Sequence, residues 1–264
     1  MRKICIINQK GGVGKTTTSV SLAAGLSRSD RKVLLVDLDP QSNLELSIKL
    51  ESSWTVYDYL FEGVALSECL NEMGKNLFLV RGDQRIMRSE QQDPEKIIER
   101  LNMIEGYDYV IFDCGPSMTA INRAAMLYSN EALVPTTTDY LGFESIKKMQ
   151  TYLEEFADYH DHNIKLTKVV PTFFDKRNRI CIEMLDKINN EYYQQVASPV
   201  RINSKLKEAP MKKMSIFRYE PKSNGAKDYW ALVQSVICDE KKQADFANVS
   251  SQTRPQLAVE EEEE

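Results

Sequence analysis

Two groups of residues in this chain have the types and spacing that phosphate chemistry needs. The run Lys10-Gly11-Gly12-Val13-Gly14-Lys15-Thr16 sets three glycines before a lysine and a threonine. Glycine lets a backbone curl closely around phosphate oxygens. Lys15 supplies a mobile positive charge for β- and γ-phosphates, and Thr16 a hydroxyl for Mg²⁺. The usual pattern would have its first glycine where Gln9 stands, and here a second lysine, Lys10, precedes the glycines. That cation is redundant for a monomer already served by Lys15. It makes sense if Lys10 reaches the nucleotide of a second subunit. The second group is acidic: Asp37 and Asp39 in Asp37-Leu38-Asp39-Pro40-Gln41-Ser42-Asn43, and Asp113 in Phe112-Asp113-Cys114-Gly115-Pro116-Ser117. Phosphoryl transfer needs mainly positioning and charge stabilisation, so a weakly basic carboxylate suffices to orient water.

These residues must be positioned by the elements around them. Short apolar runs at Lys3–Ile7, Lys32–Asp37, Leu77–Val80, Tyr109–Asp113, Ala132–Pro135 and Lys165–Pro171 read as strands. Helical patterns follow at Lys15–Arg28, Pro94–Asn102, Ala120–Tyr128, Leu141–Tyr159, Asn178–Gln194 and Gly225–Val236. The strands are near-continuous hydrophobics, as in a parallel sheet covered on both faces. The alternation predicts an α/β fold with a doubly wound, mostly parallel sheet and helices on both faces. Ligands of such sheets sit beyond the carboxyl ends of the strands, where the glycine run and the aspartates fall. Helix Lys15–Arg28 opens where the glycine turn ends, so its free N–H groups and positive dipole end make an anion site.

The chain has 264 residues, 42% of them hydrophobic, and a net charge of -5. That suits one domain over residues 1–240. Cys5, Cys69, Cys114, Cys181 and Cys238 are scattered without metal-ligand spacing, which suits a reduced, cytoplasmic protein. No apolar stretch approaches a membrane span. From about Lys241 the pattern fails, and the polar segment ends in Glu260–Glu264. Residues 241–264 are expected to be a disordered acidic tail. Against the acidic whole, Arg201, Lys205, Lys207, Lys212, Lys213, Arg218, Lys222 and Lys227 are opposed only by Glu208, Glu220 and Asp228. Trp54, Tyr57 and Leu60 form a helical apolar stripe expected in the core, as are Trp230 and Val233; His160 and His162 are expected to be exposed.

The glycine run resembles the deviant Walker A motif of the ParA/MinD ATPases. The two aspartate stretches, Asn203–Pro210 (NSKLKEAP) and Tyr219–Tyr229 (YEPKSNGAKDY) narrow the resemblance to the ParA/Soj partition branch over roughly residues 1–237. The resemblance implies an ATPase using ATP and Mg²⁺. Lys10, Gly11, Gly12, Val13, Gly14, Lys15, Thr16 and Thr17 would bind ATP, with Lys10 serving the neighbour's phosphates. Lys10, Lys15 and Asp39 would be catalytic, Asp39 orienting the water. Thr16, Asp39 and Asp113 would face the metal, with Asp37 behind them. Thr172-Phe173-Phe174-Asp175 and Glu208-Ala209-Pro210-Met211 would wall the adenine, Pro210 and Met211 in contact.

It further implies an ATP-dependent homodimer on the nucleoid, binding DNA non-specifically through Arg201, Lys205, Lys207, Arg218, Lys222 and Lys227. A ParB-like protein would stimulate hydrolysis and release it. Ser42 stands where glycine is common, and Cys114-Gly115 where Thr-Pro is common. These departures bear on hydrolysis rate but remove no catalytic side chain. Cys114 has no matching cysteine for a cluster and is expected to be a buried thiol. A MinD- or FlhG-like positioning ATPase, a carrier of protein cargo and a metabolic phosphate-loop enzyme are the alternatives. The membrane-associated alternative needs a basic C-terminal amphipathic helix, whereas this chain ends in five glutamates.

Overall fold

The computed structural model describes residues 1–42, 44, 51–91 and 94–252. Seven strands form one sheet: β1 Arg2–Ile6, β2 Val33–Leu38, β3 Leu70–Gly74, β4 Leu77–Val80, β5 Tyr109–Cys114, β6 Glu131–Thr137 and β7 Lys165–Thr172. The helices are α1 Lys15–Arg28, α2 Val56–Phe61, α3 Leu66–Cys69, α4 Pro94–Asn102, α5 Ala120–Tyr128, α6 Tyr140–His160, α7 Arg179–Glu191, α8 Lys205–Met211, α9 Ile216–Tyr219 and α10 Asn224–Gln252. The sheet order is β3-β4-β2-β5-β1-β6-β7. All neighbours are parallel except β3, which pairs antiparallel with β4 at the edge. The expected doubly wound α/β architecture is present.

The central strands β2 (VLLVDL) and β5 (YVIFDC) are buried at every position, as expected of strands covered on both faces. One face packs Phe112, Val36 and Val134 against Ile97, Ile121, Met149 and Leu153 of α4, α5 and α6. The other packs Ile4, Leu35 and Ile111 against Leu22, Leu26, Phe217 and Val233 of α1, α9 and α10. Gly25 lets α1 and α10 close together, because a Cβ there would stand 2.3 Å from Val233 Cγ2.

Several expectations need correction. The antiparallel β3 was not expected; it carries Asn71, Glu72 and Gly74 and lacks the apolar run that marks the other strands. Trp54 is exposed, because α2 starts only after its N-cap Thr55, which forms a capping box with Asp58 inside the first turn; Leu60 is buried and Tyr57 partly so. Trp230 is also at the surface, edge-on to Phe217. His162 is half-buried, with Nε2 2.7 Å from the Ser129 carbonyl oxygen. The expected disorder from residue 241 is not what the described residues show. Helix α10 continues to Gln252, because Lys241–Gln252 holds good helix formers and neither glycine nor proline. Asn43 and the glutamates at 260–264 lie outside the described residues.

At the base of the sheet, α10 is tied down by charge. Asp239 pairs with Lys168 at 2.8 Å, Glu240 with Arg31 at 3.2 Å, and Tyr109 Oη donates to Glu240 at 2.8 Å. Arg2 Nη1 donates to the Val236 carbonyl at 2.6 Å, while its other nitrogens grip Glu131. These polar partners add to the apolar face of α10, where Leu232, Val233 and Val236 are buried in the core.

Candidate nucleotide site

The phosphate loop leaves β1 and enters α1. Gly14 caps α1 at φ 88 and Gly12 stands at φ 72, conformations that favour glycine. No side chain caps the first turn of α1, so its N–H groups remain available to an anion. Lys15 Nζ is held among loop carbonyls, 3.0 Å from Asn8 O and 3.3 Å from Lys10 O. Burial lowers its pKa, and the nearby charges of Asp113 and Asp39 oppose that. Asn8 braces the loop by accepting from Lys10 N at 2.9 Å and donating to Pro135 O at 2.8 Å. Thr172 locks the loop to β7, its Oγ1 lying 2.9 Å from Val13 O.

Register brings the carboxylates together. Asp37 of β2 lies opposite Asp113 of β5, and Asp39 follows two residues beyond the strand position of Asp37. Asp113 Oδ1 accepts from Ser19 Oγ at 2.9 Å. Burial pushes the Asp113 pKa up to about 6 against the hydroxyls of Thr16 and Ser19. Burial, then the charge of Asp113, raises Asp37 well above the carboxylate range. Asp37 Oδ1 accepts from Asp39 N at 3.0 Å. Asp37 Oδ2 and Asp113 Oδ2 are buried and have no partner among the described residues. Open carboxylate oxygens beside the Thr16 hydroxyl fit a Mg²⁺ ion that takes one or two protein ligands, its other ligands being phosphate and water. No group of three or more acidic, His or Cys side chains among the described residues forms a complete metal cage.

Lys15, Thr16, Thr17 and Asp39 line one cavity of about 860 Å³ together with Phe173, Arg201, Pro210 and Tyr229. The structure therefore unites the phosphate loop, the strand-end carboxylate and the expected base wall. Some expected residues fall elsewhere. Val13 is fully buried under the loop and offers only its backbone. Met211 is 81% exposed and does not line the cavity; successive helical residues point about 100° apart, so α8 turns Met211 out where it turns Pro210 in. Lys10 does not line the cavity either. Its Nζ lies 2.8 Å from Thr137 Oγ1 and 3.0 Å from Asp139 Oδ1. Phe173 sits at φ 52 and Ser42 at φ 50, left-handed conformations that cost a side chain energy and cluster at functional sites.

The basic stretch divides in two. Arg201 turns into the cavity and is bound to Asp228, with Nη2 2.5 Å from Oδ1. Lys205 is paired with Glu208 at 2.7 Å. Lys207, Lys212, Lys213, Arg218, Lys222 and Lys227 are exposed and have no ion-pair partner among the described residues.

Sequence reading missed Asn8, Asp139, Tyr229 and Gly82. Tyr229 is buried on α10 with its hydroxyl 3.2 Å from Thr18 Oγ1 of α1. Gly82 lies so close to the aspartates that a Cβ would stand 2.8 Å from Ser42 Oγ and 2.9 Å from Asp37 Oδ2. Tyr229 ends the Tyr219–Tyr229 stretch but is given no role there; of the other three, only Asp139, just ahead of the α6 pattern, could have been found as a helix cap.

Fold and site together define a phosphate-loop ATPase acting on ATP with Mg²⁺. A family model described as an AAA domain matches residues 1–168. The chromosome partitioning protein ParA of Myxococcus xanthus is 31% identical, covering 89% of this chain and 88% of that protein. The sporulation initiation inhibitor protein Soj of Bacillus subtilis is 29% identical, covering 89% of this chain and 98% of that protein. A structure of cobyrinic acid a,c-diamide synthase from Mycobacterium smegmatis, with bound ADP and magnesium, superposes with a TM-score of 0.77 at 24% identity, covering 91% of this chain and 96% of that one. The chain belongs to the ParA/Soj family of partition ATPases.

Proposed function

We propose that this chain is a partition motor whose ATP-bound dimer sits non-specifically on DNA and leaves it on hydrolysis. The observation that carries this reading is the pair of lysines on one phosphate loop. Lys15 is buried in its own loop, whereas Lys10 stands outside the cavity in an ion pair that leaves its side chain about a quarter exposed. In this reading Lys10 swings to the phosphates of the second subunit, Lys15 and Thr16 serve their own nucleotide and its Mg²⁺, and Asp39 orients the attacking water. Asp113 and Asp37 hold the metal side of the site.

The unpaired cations of α8 to α10 supply the DNA face. Phosphate contacts position a protein without reading sequence and weaken steeply with salt. Two subunits would double that face, which is a simple way for ATP to gate DNA affinity. A ParB-like protein would stimulate turnover; the name of one relative, a chromosome partitioning protein, supports the partition role itself. Localisation to the nucleoid follows from the same reading. No helix among the described residues is long and apolar enough to cross a membrane.

The test is sedimentation of the protein with ATP, ADP or no nucleotide, with and without DNA of unrelated sequences. ATP should yield a dimer that binds all sequences alike. A monomer under every condition would sink this function.

A further inference from the structure

Asn122, in the first turn of α5, is a polar side chain only 1% exposed. Its Nδ2 donates to the Ser117 carbonyl at 2.7 Å and more weakly to the Gly115 carbonyl at 3.4 Å. Both acceptors belong to the loop that leaves β5 after Asp113 and Cys114 and brings Pro116 to the cavity. The Ser117 carbonyl also accepts from Thr119 N at 2.9 Å, and Thr119 caps α5. The loop is therefore strung between a buried strand and a capped helix start, and the Asn122 amide bridges it from within.

Gly115 brings that loop against Asp39. A Cβ on Gly115 would stand 3.3 Å from Pro40 Cδ and 3.6 Å from both Asp39 Cα and Asp39 Oδ1. The turn of Asp39 holds the same carboxylate oxygen, which accepts from Gln41 N at 3.0 Å. Asp39 thus lies between its own turn and a backbone whose carbonyl Asn122 grips. Asn122 Oδ1 is buried and has no partner among the described residues. An unpaired buried acceptor costs stability, whereas its neighbours Ile121, Ala124 and Ala125 fill the core with apolar groups. The amide gives up a hydrogen bond of its own while it holds the loop.

We propose that Asn122 is a positioning residue for hydrolysis. It fixes the Gly115–Ser117 loop and, through Gly115, the aim of the Asp39 carboxylate, without touching the nucleotide. The inference rests on the reading of Asp39 as the group that orients the water. Misplacing a reacting group by about 1 Å costs on the order of 100-fold in rate. Affinity is set elsewhere, by the glycine loop, Lys15 and the start of α1, so loss of Asn122 separates turnover from binding.

Phosphate release at saturating Mg-ATP and calorimetric Mg-ATP affinity, both on the full chain, test the proposal. Asn122→Ala removes the donor. Asn122→Asp is nearly isosteric and sets an acceptor against the two carbonyls. Each should lower kcat about ten-fold or more while the Kd for ATP stays within about three-fold of wild type. Amide exchange in the 115–119 loop should quicken in both, with α1 unchanged. Combined with Asp39→Ala, neither should slow turnover beyond Asp39→Ala alone, because residues that act as a unit are not additive. Wild-type kcat in both variants overturns the proposal, as does a fall in kcat matched by an equal fall in ATP affinity. Additive losses in the double variants overturn the route through Asp39. An Asp39→Ala protein with wild-type turnover overturns the reading of Asp39 and the proposal with it, whereas a slow Asp39→Ala beside unaffected Asn122 variants overturns the proposal alone.

Discussion

The ammonium of Lys10 rests 3.0 Å from Asp139 Oδ1, and the same carboxylate oxygen accepts from Gly142 N at 2.6 Å as the cap of α6. One carboxylate thus holds both a helix start and the lysine proposed to serve a second subunit. Lys10→Ala should still bind nucleotide yet lose hydrolysis and the ATP-dependent switch. Asp139→Asn keeps a capping side chain and removes the charge, so it should release Lys10 and raise ATP-dependent dimer formation with little change in melting temperature. Burial tends to raise the Asp139 pKa, but bonds from Thr137, Lys10 and the Gly142 amide outweigh it and hold the carboxyl low. The sign is that of a depressed acid: its stabilisation is present above the ordinary carboxylate pKa and lost as pH falls through the lowered one. Lys10 should therefore stay parked across the neutral range. Dimer formation of Asp139→Asn, measured by sedimentation at pH 7, decides the point, and a variant indistinguishable from wild type counts against the latch.

Asp39→Ala should lower turnover at least ~100-fold, the scale of losing a positioned proton acceptor, and leave ATP affinity nearly unchanged. Lys15→Ala should instead abolish tight ATP binding. Parallel calorimetry and phosphate-release assays separate the two effects.

Ser42 adopts φ 50, and its Oγ is buried with no partner among the described residues. The strained backbone costs roughly 1 kcal/mol or more, and the unpaired hydroxyl about 1–3 kcal/mol. Glycine adds back about 0.5–1 kcal/mol of chain entropy. Ser42→Gly should therefore stabilise the protein by about 1 kcal/mol, seen as a higher midpoint in urea. A lower midpoint would show that the hydroxyl has a partner in solution.

A Cβ on Gly25 would meet Val233 Cγ2 at 2.3 Å. Alanine favours a helix interior over glycine by about 1 kcal/mol, yet overpacking here should cost about 1–3 kcal/mol. Gly25→Ala should be net destabilising. Adding Val233→Ala should recover part of the loss, and simple additivity of the two changes in a double-mutant cycle would contradict the close packing.

Lys205 is already neutralised by Glu208, whereas Lys212, Lys213 and Lys222 are exposed and unpaired among the described residues. Lys222→Glu should weaken ATP-dependent DNA binding more than Lys205→Glu does. The salt slope of log K should flatten by about one unit for each DNA phosphate that a variant no longer neutralises. If Lys205→Glu combined with Lys222→Glu leaves DNA binding intact, the face lies elsewhere.

What the sequence determined by itself was local in origin. The loop glycines, Lys15 and Thr16 lie within one short stretch, so strand, turn and helix could be read in order. Continuous apolar runs marked six of the seven strands, because burial on both faces leaves no alternation to confuse. The β3 edge strand went unseen because Asn71, Glu72 and Gly74 break its apolar run. Tertiary structure alone decided the rest. It set Asp37 against Asp113 through strand register, turned Arg201 from the basic flank into the cavity through Asp228, and placed Lys10 on Asp139. It also tied Asp239 and Glu240 of α10 to Lys168 and Arg31 through ion pairs. Each of these joins residues far apart in the chain, and an ion pair between side chains on different elements leaves no periodicity in either one. The phosphate site was therefore legible from its own residues, whereas the partners that aim and restrain it exist only once the sheet has closed.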